Sequence, residues 1–197
     1  FKSLYFPNLQ LQVLSMTNWC RKLNTGYTFF PTSPAIQKRE TVYTYAGACL
    51  LEGLNIHEGR GTADPFAQFG APWIDAELLQ REAEKMLPDA DVVAVHYIPT
   101  LSLYAGERCH GLRVLPKHPE TFQSFRYFMQ LIALINQLHP HQLKERHYLT
   151  NVNPTGAQHL DLLLGVPESF TKLLSNGIDT RLGIDQWKQT MEPFLLY

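Results

Sequence analysis

The sequence predicts an α+β fold, a small mixed β-sheet covered by helices, with strands mainly in the first half of the chain and helices in the second. Short alternating or β-branched runs fill the first half, and apolar residues recur at three- and four-residue steps from about Pro119 onward. Size and composition agree: 197 residues with 45% apolar and 12% aromatic side chains can bury a proper core, and no repeat or low-complexity tract divides the chain.

The first strand is expected at Leu9–Met16 (LQLQVLSM), where apolar and polar residues alternate. Gly26, Pro31 and Pro34 then mark irregular backbone. Residues 41–56, TVYTYAGACLLEGLNI, open with β-branched and aromatic side chains and predict a strand over part of the run. APWIDAELLQREAEKML predicts a helix with Asp75 as N-cap and a stop at Pro88. DVVAVHYIPT, apolar and β-branched almost throughout, predicts a buried strand, and HGLRVLPK a shorter strand antiparallel to it. Phe122, Phe125, Phe128, Met129, Ile132 and Ile135 make Pro119–Leu138 the clearest helix of the chain. Three shorter helices follow around AQHLDLLLG, PESFTKLLSNG and GIDQWKQTMEPFLLY, punctuated by Gly165, Gly177 and Gly183. His139, His141 and His147 read as a solvated helix end.

The formal net charge of -1 offers no electrostatic reason for a nucleic-acid or anionic-membrane partner. The longest apolar helical stretch, residues 125–138, falls short of the roughly 18–20 residues needed to cross a bilayer. The chain opens with Phe1 and has no basic-then-apolar leader pattern, so it reads as a piece of a longer protein. Cys20, Cys49 and Cys109 are an odd number without metal-type spacing and read as unpaired, mostly buried thiols.

Residues 49–75, CLLEGLNIHEGRGTADPFAQFGAPWID, differ in kind from the rest. Glu52-Gly53 and Glu58-Gly59 are followed at once by Arg60, Gly61 and Thr62. Glycine is used where backbone turns tightly or a ligand comes close. Arg60 offers a planar fork of donors suited to carboxylates. Glu52 and Glu58 can serve as acid, base or acceptor, while Asn55 and Thr62 both donate and accept. The mixture fits a polar ligand floor; it fits equally a surface loop holding an ordinary salt bridge. His57 beside Glu58 is no metal-ligand signature, and His96, His110 and His118 are scattered, so no metal site is expected. GRGT lacks the spaced glycines and Lys of a P-loop, no G-x-S-x-G occurs, and Cys49 sits in an apolar run.

These residues also resemble a known family. Cys49-Leu50-Leu51, Glu52-Gly53-Leu54-Asn55, His57 to Thr62, Pro65-Phe66 and Gly70 to Asp75 are similar to the cysteine-containing apolar run, EGTN, SEGRGT, PF and GAPWID of the NamZ-like exo-β-N-acetylmuramidases, once catalogued as a domain of unknown function. VLSMTNWCR, PTSPAI, HYIPTLSLYAGERCHGLRV and the terminal FLLY resemble further family pieces in the right order. Leu54 stands where Thr is usual, His57 where Ser is usual, and Ala35 where Asn is usual.

The resemblance implies that residues 1–197 are the single C-terminal, auxiliary domain of a larger two-domain protein whose Rossmann-like N-terminal region, with the main catalytic glutamate, is absent from this sequence. It implies a glycoside hydrolase, without metal or organic cofactor, that releases N-acetylmuramic acid from non-reducing ends of peptidoglycan fragments in the periplasm or outside the cell. Partners would be that N-terminal region and a muropeptide or other saccharide containing N-acetylmuramic acid. Glu58 and Glu52 are then the candidate catalytic carboxylates of this half. Asn55, Gly59, Arg60, Gly61, Thr62, Trp73 and Tyr104 are the candidate substrate-binding residues. Arg60 either reads the lactyl carboxylate of muramic acid or holds the loop by pairing with Glu58 or Asp64. Trp73 and Tyr104 offer stacking faces to a sugar, with core packing the competing role for Trp73. A non-catalytic carbohydrate-binding or structural support domain is the alternative reading.

Overall fold

The strand Cys109–Pro116 (β3) is the centre of a three-stranded sheet, with Gln68–Ala71 (β1) on one edge and Ala90–Tyr97 (β2) on the other. The computed structural model describes residues 2–18, 28–175, 177–178 and 184–195. They fall into two compact units, Phe29–Thr180 and the pair of chain ends Phe1–Thr28 and Arg181–Tyr197. The sheet belongs to the first unit. Both its pairings are antiparallel, with Val92 opposite Val114 and Gly70 opposite Gly111. The class is therefore α+β, but no neighbouring strands run parallel as a mixed sheet requires, because β1 and β2 flank β3 instead of meeting. β1 lies inside the glycine-rich segment and was not foreseen. β2 is half-buried, not fully buried: Ala90 and Val92 face inward while Asp91 and Val93 are exposed, as befits an edge strand covered on one face.

Residues 41–56 correct the expected strand. Arg39–Ala48 is a helix (α2) that continues into a 3-10 turn at Cys49–Gly53. Its inward residues, Thr41, Thr44, Gly47 and Ala48, follow helical and not alternating spacing. Gly47 explains why β propensity loses here. Its N–H donates to Ser124 Oγ (2.9 Å), and that hydroxyl donates to the Thr44 carbonyl (2.7 Å). A Cβ on Gly47 would collide with the Ser124 backbone carbonyl. Close tertiary packing thus overrides the local preference.

The helix Ala76–Met86 (α3) forms as expected, with Asp75 Oδ1 accepting the Leu78 N–H at 2.9 Å and Pro88 just beyond its end. The helix Ser124–Leu138 (α4) starts later than Pro119, where Ser124 is fastened to α2. Phe128, Leu131, Ile132 and Ile135 of α4 lie fully buried against Phe69, Leu79 and Leu112 in one core. At 25 cal/mol per Å², each such side chain contributes about 1.5–3 kcal/mol. His139 caps this helix from inside and not from solvent: it is buried, and its Nε2 accepts the Asp75 N–H at 2.9 Å, tying α4 to the start of α3. His141 and His147 are exposed. Two short helices, His159–Leu164 (α5) and Ser169–Leu174 (α6), follow. Gly165 ends α5 in the left-handed region, and Asp161 of α5 accepts the N–H groups of Glu168 and Ser169 at the start of α6.

In the second unit, Lys2–Tyr5 (α1), Ile184–Met191 (α7) and a 3-10 turn at Glu192–Phe194 are the regular elements. No strand forms over Leu9–Met16: alternation supplies a sheet-like side-chain pattern, but a strand exists only where a neighbour takes up its backbone groups. Cys20, Gly26 and Gly183 lie outside the described residues. Cys109 is buried and Cys49 half-buried, and burial pushes both thiols up to about 11, so neither offers a thiolate at neutral pH. Among the described residues no helix is long and apolar enough to cross a membrane, and no three His, Cys, Asp or Glu side chains are grouped to hold a metal ion.

Candidate functional site

The segment that carries Glu52 and Glu58 is fixed on both sides by backbone. His57 exchanges N–H···O bonds with Gly70 of β1, at 2.7 and 3.0 Å. On the other side Gly53–Asn55 pairs with Lys144–Arg146: the Asn55 N–H donates to the Lys144 carbonyl and the Arg146 N–H to the Gly53 carbonyl, both at 2.9 Å. Asn55 reinforces this with its side chain, donating to the Gln142 carbonyl (2.9 Å) and accepting from the Lys144 N–H (2.7 Å). The turn that follows Glu58 needs glycine. Gly59 and Gly61 have φ of 84° and 75°, and a Cβ on Gly59 would strike the Gln68 carbonyl. Thr62 closes this turn, its hydroxyl donating to the Gly59 carbonyl at 2.7 Å.

His57 locks the turn from within. Its Nδ1 accepts the Gly59 N–H at 3.1 Å, which fixes the proton on Nε2, where it is donated to the Leu101 carbonyl at 3.1 Å. The Tyr97 hydroxyl, 3.1 Å from Nδ1, donates there as well. Burial lowers the pKa of this fully enclosed imidazole against the opposing pull of Glu58, so it is neutral.

Four charges meet at the centre. Arg60 Nη2 donates to Glu52 Oε1 at 2.6 Å. Arg60 Nε lies 3.3 Å from Glu58 Oε1, an ion-pair contact without hydrogen-bond geometry. Arg146 Nη1 reaches Glu58 Oε2 at 3.5 Å. Ser102 and Tyr148 complete the shell, the first donating to Glu58 Oε1 at 2.7 Å and the second to Glu52 Oε1 at 3.1 Å. Burial works against the Arg60 charge, but Glu52 and Glu58 more than offset it and raise its pKa. The Tyr148 hydroxyl is pushed up by burial and then by Glu52. Two carboxylates and two guanidiniums balance, which is how buried charge is tolerated. The Arg60 guanidinium also lies over the Phe66 ring at 4.8 Å, so its plane is set by packing as well as by charge.

Of the residues singled out by the sequence, Glu52, Glu58, Arg60, Gly59, Gly61 and Thr62 are brought together. Glu58 has no exposed surface and Glu52 little. Asn55 sits on the adjacent pairing with both ends of its amide bonded to backbone, and the Tyr104 hydroxyl donates to the Asn55 carbonyl at 3.1 Å. Trp73 packs edge-on to His139 at 5.8 Å against the core, with its buried indole directed at the Tyr104 hydroxyl. Asp64, the other partner considered for Arg60, pairs instead with Lys38 (2.6 Å) and Arg113 (3.6 Å). The departures at Leu54, His57 and Ala35 are all buried, Leu54 and Ala35 in the apolar core, so none presents a group to a ligand.

Sequence reasoning missed Ser102, Arg146, Tyr148 and His159. Arg146 and Tyr148 are two apart on an extended segment and so share a face. The Arg146 guanidinium lies over the Tyr148 ring at 4.8 Å, and the His159 ring stacks on Tyr148 at 4.7 Å. Only the alternation in KERHYLT hinted at this; its pairing partner is distant in sequence.

Comparison with known proteins gives a consistent set. The family described as Exo-beta-N-acetylmuramidase NamZ, C-terminal, matches residues 43–197. The peptidoglycan beta-N-acetylmuramidase NamZ of Bacillus subtilis (strain 168) is 29% identical over 198 residues, covering 98% of this chain and 45% of that protein. The chain therefore spans less than half the length of this curated relative. A DUF1343 family protein from Bacteroides fragilis NCTC 9343 shares the fold with a TM-score of 0.76, at 20% identity, over 91% of this chain and 48% of that one. A second DUF1343 protein of the same strain gives 0.56, at 18% identity, over 85% and 43% of the two chains.

Proposed function

This chain belongs to the family of NamZ C-terminal domains, and from that premise we propose that it is the C-terminal half of a peptidoglycan glycoside hydrolase. The parent releases N-acetylmuramic acid from non-reducing ends, in the periplasm or outside the cell, and this half supplies one wall of a cleft completed by a Rossmann-like N-terminal region. The observation that carries the reading is the Glu52–Arg60–Glu58–Arg146 network, in which Glu52, Glu58 and Arg60 belong to the run that resembles the family pattern. Glycoside hydrolysis needs a protonated acid and a second carboxylate facing an oxocarbenium-like centre. Glu58 is enclosed and held by Arg60, Arg146 and Ser102, which suits a rigid support. Glu52 keeps a little exposed surface, so any direct carboxylate role of this half falls to Glu52, and the principal acid belongs to the other half.

The test is release of N-acetylmuramic acid from a chromogenic muramoside by the full-length parent, by this chain alone, and by the parent carrying Glu52→Gln. Turnover by the parent only, lowered at least about ten-fold in kcat in the folded variant, is expected for a carboxylate acting in the transition state. A parent that leaves the muramoside intact sinks the assignment and favours a carbohydrate-binding or support module. A fully active Glu52→Gln parent keeps the family activity and removes Glu52 from the chemistry.

A further inference from the structure

We propose that Arg146, and not Arg60, binds the carboxylate of the acidic N-acetyl sugar, with Tyr148 and His159 forming the floor beside it. This rests on the muramidase reading and identifies the specificity-determining residue within it. Arg60 has the motif position but is firmly committed within the chain: one arm of its fork is on Glu52 at 2.6 Å, its Nε faces Glu58 at 3.3 Å, and its plane is set on Phe66. Among the described residues the Arg146 side chain has one polar partner, Glu58 at 3.5 Å, longer than a good charge-assisted hydrogen bond. If that contact loosens, Glu58 still has Ser102 and Arg60 facing it. The remaining donors of Arg146 have no partner among the described residues, and its side chain is 18% exposed; Arg60, at 33%, is more exposed, so what separates the two is how firmly each guanidinium is committed.

Two further features set the guanidinium up for a planar anion. It lies on the Tyr148 ring, which fixes its orientation and leaves its edge as the accessible part. The Tyr148 ring is in turn stacked on His159, whose Nδ1 is buried with no hydrogen-bond partner although the residue is only 8% exposed. A buried polar atom without a partner is uncommon and marks a place where a ligand or ordered water completes the bonding. A carboxylate on Arg146 would complete the free donors of the guanidinium, while the enclosed Nδ1 of His159 has room only for an ordered water beneath the same floor.

The experiment compares N-acetylmuramic acid with its lactyl methyl ester as competitors of muramoside hydrolysis by the parent, and as ligands in equilibrium titration. Wild type is expected to prefer the free acid on the order of ten- to a hundred-fold, the range of a charge-assisted contact. Arg146→Gln should reduce the preference to within about two-fold, and Arg146→Lys, which keeps the charge without the fork, should retain part of it. Circular dichroism confirms that both variants are folded; if the Gln variant is not, the Lys variant decides, since a merely structural arginine would leave the acid-to-ester ratio unchanged. An unchanged ratio in the folded variants, or a wild type without preference, overturns the proposal while leaving hydrolysis intact. A parent that hydrolyses no muramoside fails the functional reading instead, and titration of acid against ester still decides whether Arg146 reads a carboxylate.

Discussion

Glu58→Gln tests whether the central charges hold the fold of the loop. The substitution keeps the shape and the Ser102 contact but removes a charge with two guanidiniums at 3.3 and 3.5 Å. At an effective dielectric of about 20, each contact is worth roughly 5 kcal/mol gross. Removing the carboxylate charge also relieves its desolvation, a saving of several kcal/mol. Arg60 keeps Glu52 at 2.6 Å, and the partly exposed Arg146 regains some hydration. The balance is a loss of about 3 kcal/mol, the low end for breaking a buried pair. Urea unfolding followed by circular dichroism should show a lower midpoint with an unchanged slope, and the melting temperature should fall by about 6–12 °C for a domain of this size. Because Glu58 has no exposed surface, high salt should not erase the difference. A loss below about 1 kcal/mol, or one that disappears in 1 M salt, would refute the claim that these charges hold the loop.

Two other perturbations read separate parts of the structure. Gly47→Ala in a helix interior ordinarily stabilises by about 0.5–1 kcal/mol, but here the new Cβ meets the Ser124 carbonyl; denaturant midpoints should show a loss of about 1–3 kcal/mol, and a gain would mean that α2 and α4 are not in that contact. His57 has its pKa lowered in the folded chain, by burial first. The unfolded chain therefore binds more protons, and the contribution present above the unfolded value of about 6.5 is lost as pH falls toward the folded value. Unfolding measured between pH 7 and pH 5 should show a steeper decline in wild type than in His57→Asn, whereas identical slopes would remove His57 from the linkage.

What the sequence made legible follows from how local each cause is. α3 was readable to its cap because Asp75, the apolar spacing and Pro88 all act within a few residues. The β2–β3 pair and α4 were readable from periodicity, although the start of α4 depends on Ser124 meeting Thr44, which no local pattern reports. Residues 41–56 misled because Thr, Val and Tyr favour strands, while the deciding fact was a missing Cβ at Gly47 facing a residue far along the chain. The same division holds at the site. The Glu52–Thr62 run announced itself, but Arg146, Tyr148 and His159 reach it through the pairing of Gly53–Asn55 with Lys144–Arg146, a long-range contact with no motif of its own.

That division also bears on where ligand chemistry resides. A dense run of glutamate, arginine and glycine attracts attention because each residue type is costly to bury. For the same reason each must find a partner once the chain folds. Glu58 and Arg60 find theirs in one another, in Glu52 and in Arg146, so the charges of the motif are largely balanced within the chain itself. Groups that still lack partners are the better guide to what binds. Beside Tyr148 they include the outer donors of Arg146 and the buried Nδ1 of His159. On the proposed reading the motif is the charge-balanced support, and the binding edge is presented by the segment that leans on it.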